Sequence, residues 1–179
     1  MPGEPRLWGL MAEFENPAEL VAAARRARQE GYIRMDAYTP FPVEELAEAL
    51  GLRRTKLPLV VLAGGLVGLV GGYLLQYYAA VVDYPLNVGG RPFHSWPAFI
   101  VPTFEMTILG ASFAAVLGML GMNKLPQPYH PVFNAPRFAL ASRDRFFLAI
   151  EAKDPRFDHD QTWAFLTRLG PRVVMDVEE

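Results

Sequence analysis

The sequence predicts an α+β membrane protein, on three observations. Leu57 to Val82 and Pro97 to Met122 are each 26 residues long and together carry a single charge, Glu105. The charged residues, 20% of the chain, concentrate outside these two segments. On either side of the pair, strand and helix signals recur in a β-α-β order. A helix rises ~1.5 Å per residue, so about 20 apolar residues cross the ~30 Å hydrocarbon core. Both segments are therefore expected to span a bilayer.

The first soluble part covers residues 1–52. Arg6 to Phe14 (RLWGLMAEF) reads as a strand. Asn16 suits an N-cap, Pro17 the first helical position, and Glu19 the third position of a capping box. The helix then runs to Gly31, a C-cap residue, with Leu20, Ala23, Ala24 and Ala27 as its apolar stripe. Tyr32 to Tyr38 reads as a second strand. After the turn Thr39-Pro40-Phe41-Pro42, Val43 to Leu50 reads as a short helix ending at Gly51.

Residues 53–124 form the expected transmembrane hairpin, with spans at 57–82 and 97–122 and an outer loop at 83–96. Arg53, Arg54, Lys56 and Lys124 flank its two ends, and Arg91 is the loop's lone cation. The positive-inside rule then places both termini in the cytoplasm. Tyr73, Tyr77, Tyr78, Tyr84, Phe93 and Trp96 cluster toward the outer ends, where amphipathic rings favour the interface.

Residues 125–144 form a proline-rich cytoplasmic arm. Pro126, Pro128, Pro131 and Pro136 exclude regular helix and central strand, so an extended run is expected. It is either a stiff connector or an arm laid across a neighbouring subunit. Tyr129, Phe133 and Phe138 call for something apolar beneath them. In the second soluble part, 145–179, Arg145 to Ala152 and Arg172 to Val177 read as strands. Between them Gln161 to Leu169 reads as a helix capped by Asp158 or Asp160.

One β-α-β unit has too small a core to stand alone. Two can form a ferredoxin-like, four-stranded antiparallel sheet with both helices on one face. The transmembrane hairpin is then an insertion in the middle of that cytoplasmic domain.

Chemistry is sparse. Net charge is −2, which leaves no footprint for nucleic acid. There is no cysteine, hence no disulfide, thiolate metal site, cysteine-held cluster or covalent c-type haem. His94, His130 and His159 lie outside both spans, so a haem in the bilayer has no axial histidine here. The N-terminal stretch has an early acid and no continuous apolar core, unlike a signal peptide. No phosphate loop, HExxH or GxSxG occurs. The expectation is no catalytic, cofactor-binding or metal-binding residue in this chain.

The spans carry packing signals instead. Gly64, Gly68 and Gly72 repeat every four residues, as do Gly110, Ala114 and Gly118. Small residues at that spacing let helix backbones approach closely in lipid. These faces can join the two spans, dock a larger membrane subunit, or do both; Gly65 and Gly71, on further sides of the first span, favour both. Glu105 lies roughly 12 Å of helix past Pro97, where a charge costs about 2–3 kcal/mol or more unless protonated or paired. It is a candidate for a polar contact between helices or for a proton relay. In an antiparallel hairpin Gln76 and Tyr77 lie at a compatible depth.

The segments RMDAYTPFPVEEL, HSWPAFIVPTFEMTIL, NKLPQPYHPVFNAPRFALASRDRFFLAIEAKDPRFD and RLGPRVVMDVEE resemble the ActD subunits of bacterial alternative complex III. The resemblance covers nearly the whole chain in order, and Glu105 falls in its PTFE-type motif. It implies a two-span, cofactor-free accessory subunit of a quinol-oxidising respiratory complex in the bacterial inner membrane. Haem c and iron–sulfur clusters would belong to partner subunits, and large multi-span subunits and lipid would surround the spans. The competing reading is a small membrane-anchored sensor or transporter-associated protein whose ferredoxin-like domain binds a ligand.

Overall fold

A computed structural model describes residues 6–52 and 55–179. Arg53 and Arg54, used above for orientation, lie outside the described residues. In chain order the elements are β1 (Leu7–Phe14), α1 (Pro17–Glu30), β2 (Met35–Tyr38), α2 (Glu44–Ala49), α3 (Leu57–Tyr77), α4 (Trp96–Met122), β3 (Phe146–Glu151), α5 (His159–Arg168) and β4 (Val173–Glu178). Within the described residues they form two compact units, one from 6–52 and 128–179, the other from 55–127.

The first unit is a mixed α/β body around one antiparallel sheet of order β2-β3-β1-β4. Strand side chains alternate between faces, and here both faces are covered. Leu10, Ala12 and Phe14 of β1 and Phe146, Leu148 and Ile150 of β3 pack with α1, α2 and α5. Met11, Phe147 and Ala149 point the other way, with Trp8, Met175 and Val177. Double-sided burial explains why β1 reads as a nearly continuous apolar run. It also explains Gly9, where a Cβ would run into the Ile150 carbonyl of the neighbouring strand.

What covers the second face is the proline-rich arm. It is not extended throughout: Pro131–Asn134 and Phe138–Ser142 are 3₁₀ turns. Proline fits the first position of such a turn, where no N–H is required. Val132, Ala135 and Ala141 are buried against the sheet, and Phe138 packs on Tyr38 and Phe147. The arm is therefore neither a bare connector nor a strap confined to a neighbour; the apolar surface beneath it is the chain's own sheet.

Local capping follows the expected chemistry with one change. The Asn16 side chain accepts from the Glu19 N–H at 2.9 Å, and Gly31 ends α1 with φ +97. The Glu19 carboxylate, however, accepts from the N–H of Glu15, one residue before the cap. Asp158, not Asp160, caps α5 by accepting from the Gln161 N–H at 3.0 Å.

The second strand starts at Met35, three residues later than its apolar pattern suggests. The Tyr32 ring is buried on Phe165, with its hydroxyl 3.0 Å from Thr162 Oγ1. The Ile33 and Arg34 N–H groups donate to the Asp154 carboxylate at 2.7 and 2.6 Å. These donors are thus taken by a side chain instead of a sheet ladder.

The second unit is an antiparallel helix pair. Leu57 and Val60 of α3 lie against Gly118 of α4, and Gly72 lies against Thr103 and Met106. Beyond Tyr77 the first helix widens into a π-helical stretch, Tyr78–Asp83. Both helices, Leu57–Asp83 and Trp96–Met122, are long and apolar enough to cross a membrane.

Asp154 is 4% exposed and accepts a third backbone bond, from the Arg156 N–H at 2.8 Å. Burial pushes its carboxyl pKa up, but the bonds from Arg34, Arg156 and Ile33 more than offset this, and the pKa lies below the usual carboxylate value. A depressed folded pKa contributes stability above the unfolded value near 4, which is lost as pH falls through the lower folded value. Asp154→Ala leaves three donors without their acceptor and should cost about 2–4 kcal/mol. Asp154→Asn should cost less and flatten the acid limb of stability. Denaturant unfolding followed by the fluorescence of buried Trp8 checks both, across neutral to acid pH.

Candidate functional site

In the helix pair, the glycine rows meet each other. A Cβ on Gly64 would overlap Ala114 and the Gly110 carbonyl; one on Gly68 would overlap the Met106 carbonyl; one on Gly72 would press on Met106 Cβ. A Cβ on Gly65 would contact Ala111 and Thr107 of α4, and one on Gly118 would contact Val60 and Leu57 of α3. Gly64, Gly65, Gly68 and Gly72 of α3 thus all lie against α4. Gly71, with open space around its Cβ position, does not join the seam.

Polar side chains along the seam are satisfied within the pair. The Gln76 amide donates to the Phe99 carbonyl at 3.1 Å and to Thr103 Oγ1 at 3.0 Å, as well as to its own helix at Gly72. Thr107 donates to the Thr103 carbonyl at 2.7 Å. At the loop end, the Tyr73 hydroxyl lies 2.6 Å from His94 Nε2, and Tyr77 and Phe99 pack edge-on or tilted against the same imidazole.

Glu105 is not part of this network. It stands two residues from both Thr103 and Thr107, hence about 200° around the helix from each. Its side chain is exposed and has no hydrogen-bond or ion-pair partner among the described residues. The expected contact with Gln76 or Tyr77 does not form: Gln76 faces Thr103, Tyr77 faces His94, and Glu105 faces out. The seam's own spacing carried this information, since Thr103, Thr107, Gly110 and Ala114 lie on one stripe and Glu105 opposite it.

The first unit holds an ion pair that the sequence did not disclose. Glu13, on β1, has 0% exposure and lies on the arm's side of the sheet. Arg137 of the arm grips it with two bonds, Nε to Oε2 at 2.6 Å and an Nη to Oε1 at 3.0 Å. Arg145 approaches to 3.6 Å. The hydrogen bond to Glu13 raises the Arg137 pKa further above its ordinary value. Arg145 and Arg172 also reach Glu15, at 3.4 and 2.8 Å.

His159 bridges Asp176 at 2.9 Å and Asp160 at 3.2 Å on an exposed edge. The bond to Asp176, then that to Asp160, raises its pKa above the usual imidazole value. His130 stacks edge-on with Trp8, and its Nδ1 accepts from the Val132 N–H at 3.3 Å. The three histidines have separate local roles. Among the described residues no group of three His, Cys, Asp or Glu is placed to hold a metal ion.

The match to known families bears on a chain whose polar groups mostly hold its own fold. The family model of the ActD subunit of alternative complex III matches residues 8–176. The chain belongs to the ActD family. An ActD-family chain is a subunit of a multi-subunit respiratory complex, so other subunits of that complex are its partners. The match extends through β1, both apolar helices, the arm and most of β4. No curated protein matches the chain.

Because the Gly68 position abuts α4 backbone, Gly68→Leu should separate the two helices, with overpacking of about 1–3 kcal/mol or more. Gly71→Leu meets open space and should leave the pair intact. Thermal unfolding of the full chain in mild detergent, followed at Trp96, compares the two variants. Equal midpoints would show that the close approach does not hold this pair together.

Proposed function

We propose that this chain is an accessory, cofactor-free subunit that stabilises a quinol:electron-acceptor oxidoreductase through its helix pair and its α/β unit. The observation that carries this reading is the use of the polar groups. Gln76 binds the helices to each other through Phe99 and Thr103, and Glu13 binds the arm to the sheet. The chain has no cysteine, and in this reading haem c and iron–sulfur clusters belong to partner subunits. The sensor reading needs an open ligand surface on the α/β unit. The arm covers one sheet face and the helices the other, which favours the subunit reading.

In this proposal α3 with its π-helical end, and α4, cross the bacterial inner membrane. Lys56 and Lys124 lie at the cytoplasmic ends, with Arg91 in the outer loop. The strand order β2-β3-β1-β4, with α1 and α5 on one face, supports a ferredoxin-like arrangement in the first unit. The sequence order supports treating the spans as an insertion between its halves, 1–52 and 145–179, with the arm at 125–144. Large multi-span subunits and lipid are the neighbours of the helix pair.

Affinity purification of the chain from membranes in mild detergent tests the role. Haem- and cluster-bearing proteins should co-purify, and the chain freed of them should show no visible absorption. A stoichiometric chromophore or metal retained by the isolated chain would refute a cofactor-free role.

Topology has its own test. Cysteines placed singly at Asn87 and at Asp160, both exposed, should react with impermeant reagent from opposite sides of the membrane. Labelling of both from the periplasm would overturn the orientation.

A further inference from the structure

We infer that the face of α4 turned away from α3, centred on Glu105, docks a membrane helix of another subunit of the complex, and that this helix presents a cationic side chain to Glu105. The inference rests on the reading of α4 as a membrane span within that complex.

Val101, Glu105, Ile108, Ser112 and Val116 share the outer side of α4 and are all exposed. Glu105 lies nine residues beyond Trp96, about 13 Å along the helix, close to the middle of a ~30 Å hydrocarbon layer. A carboxylate facing lipid at that depth is strongly disfavoured. Among the described residues no group relieves it: Gln76 bonds to Phe99 and Thr103, Tyr73 bonds to His94, and Tyr77 turns its ring to the same imidazole. The polar side chains of the seam turn inward, yet Glu105 and Ser112 turn outward. A helix surrounded by lipid alone has no use for that pattern, whereas polar residues facing a second helix are a recurrent device of membrane interfaces.

Charge selects the occupant. A cation opposite Glu105 compensates the carboxylate in a low-dielectric setting, and an arginine fork does so with two bonds. A second copy of this chain would bring like charge to the same place. A lipid headgroup lies at the interface, about 13 Å away along the helix. A proton relay needs successive groups within hydrogen-bond reach. Ser112, the next polar side chain on this face, is seven residues away, about 10 Å along the axis.

The complex should be purified in mild detergent from cells carrying Glu105→Leu, Glu105→Gln or Glu105→Lys. Each subunit's membrane level is measured before solubilisation. Glu105→Leu should insert at a normal level, yet its share in the purified complex should fall about tenfold, the scale of one interhelical polar contact. Glu105→Gln keeps an acceptor and should lose less; Glu105→Lys should lose at least as much as Leu. A photo-crosslinking residue at Ile108, in a chain that keeps Glu105, should form an adduct with another subunit. That arm decides the case if the Leu variant fails to accumulate.

Full retention of Glu105→Leu would show that this face meets lipid and overturn the inference. Wild-type retention of Glu105→Lys would overturn the cationic partner. Crosslinks only to lipid, or to a second copy, would overturn the docking. A wild-type chain that does not co-purify with the complex at all would instead defeat the subunit reading, and the inference with it.

Discussion

Burial of β1 on both faces is the constraint on which the α/β unit depends. A central strand with apolar residues on both sides cannot rest with one layer of helices. Met11, Phe147, Ala149, Met175 and Val177 would otherwise face water. The arm supplies the missing layer, but proline-rich chain offers few backbone hydrogen bonds to a sheet. It is held by side chains instead: the Arg137 fork on Glu13, the Asn134 amide donating to the Glu178 carbonyl at 2.8 Å, and the His130 stack on Trp8. A buried ion pair is weak evidence for added stability, because desolvation opposes the Coulomb attraction. Its clearer effect is registry. Glu13 is satisfied only when Arg137 and Arg145 reach it, so the arm has one low-energy seat.

The helix pair follows a different rule. In lipid the hydrophobic effect does not draw helices together, so close van der Waals contact and interhelical hydrogen bonds must. Gly64, Gly68 and Gly72 remove the side chains that would hold α3 and α4 apart. The close approach brings the Gln76 amide to the Phe99 carbonyl and to Thr103 Oγ1 across the seam. Contact and hydrogen bonding are coupled: widening the seam at the glycines would lengthen the very bonds that close it.

The parts legible in the sequence are those that local chemistry decides. The Asn16 cap, the Gly31 terminus and the two apolar helices depend on neighbours within a few residues. The parts that were hidden depend on distant ones. Nothing near Ile33 says that its N–H belongs to Asp154, 121 residues on. Glu13 reads as an ordinary acid near the end of a strand, because its guanidinium partner lies 124 residues away. Proline spacing in the arm told what the segment could not be, but not that short 3₁₀ turns would lay Val132 and Ala141 on the chain's own sheet. Glu105 is a separate case. Its expected contact with Gln76 or Tyr77 was argued from depth, and depth alone does not fix azimuth. The small-residue stripe on α4 did fix it, about 200° from the carboxylate.

The two carboxylates on apolar surfaces, Glu13 and Glu105, set the logic of the whole chain. Each lies where an unpaired charge is unfavourable. Glu13 is answered from within the molecule by two guanidinium groups. Glu105 has no such answer among the described residues, although Tyr73, Gln76, Thr103 and Thr107 of the same helix pair find partners. In the proposed docking, this one is left for a neighbouring subunit to answer. That is what a subunit requires and a self-sufficient membrane protein does not: one polar demand, set in an apolar face, that only the correct neighbour meets. Packing by apolar surface alone would accept many helices. A single charge at a fixed depth and azimuth narrows the choice to a partner with a matching group at the same level.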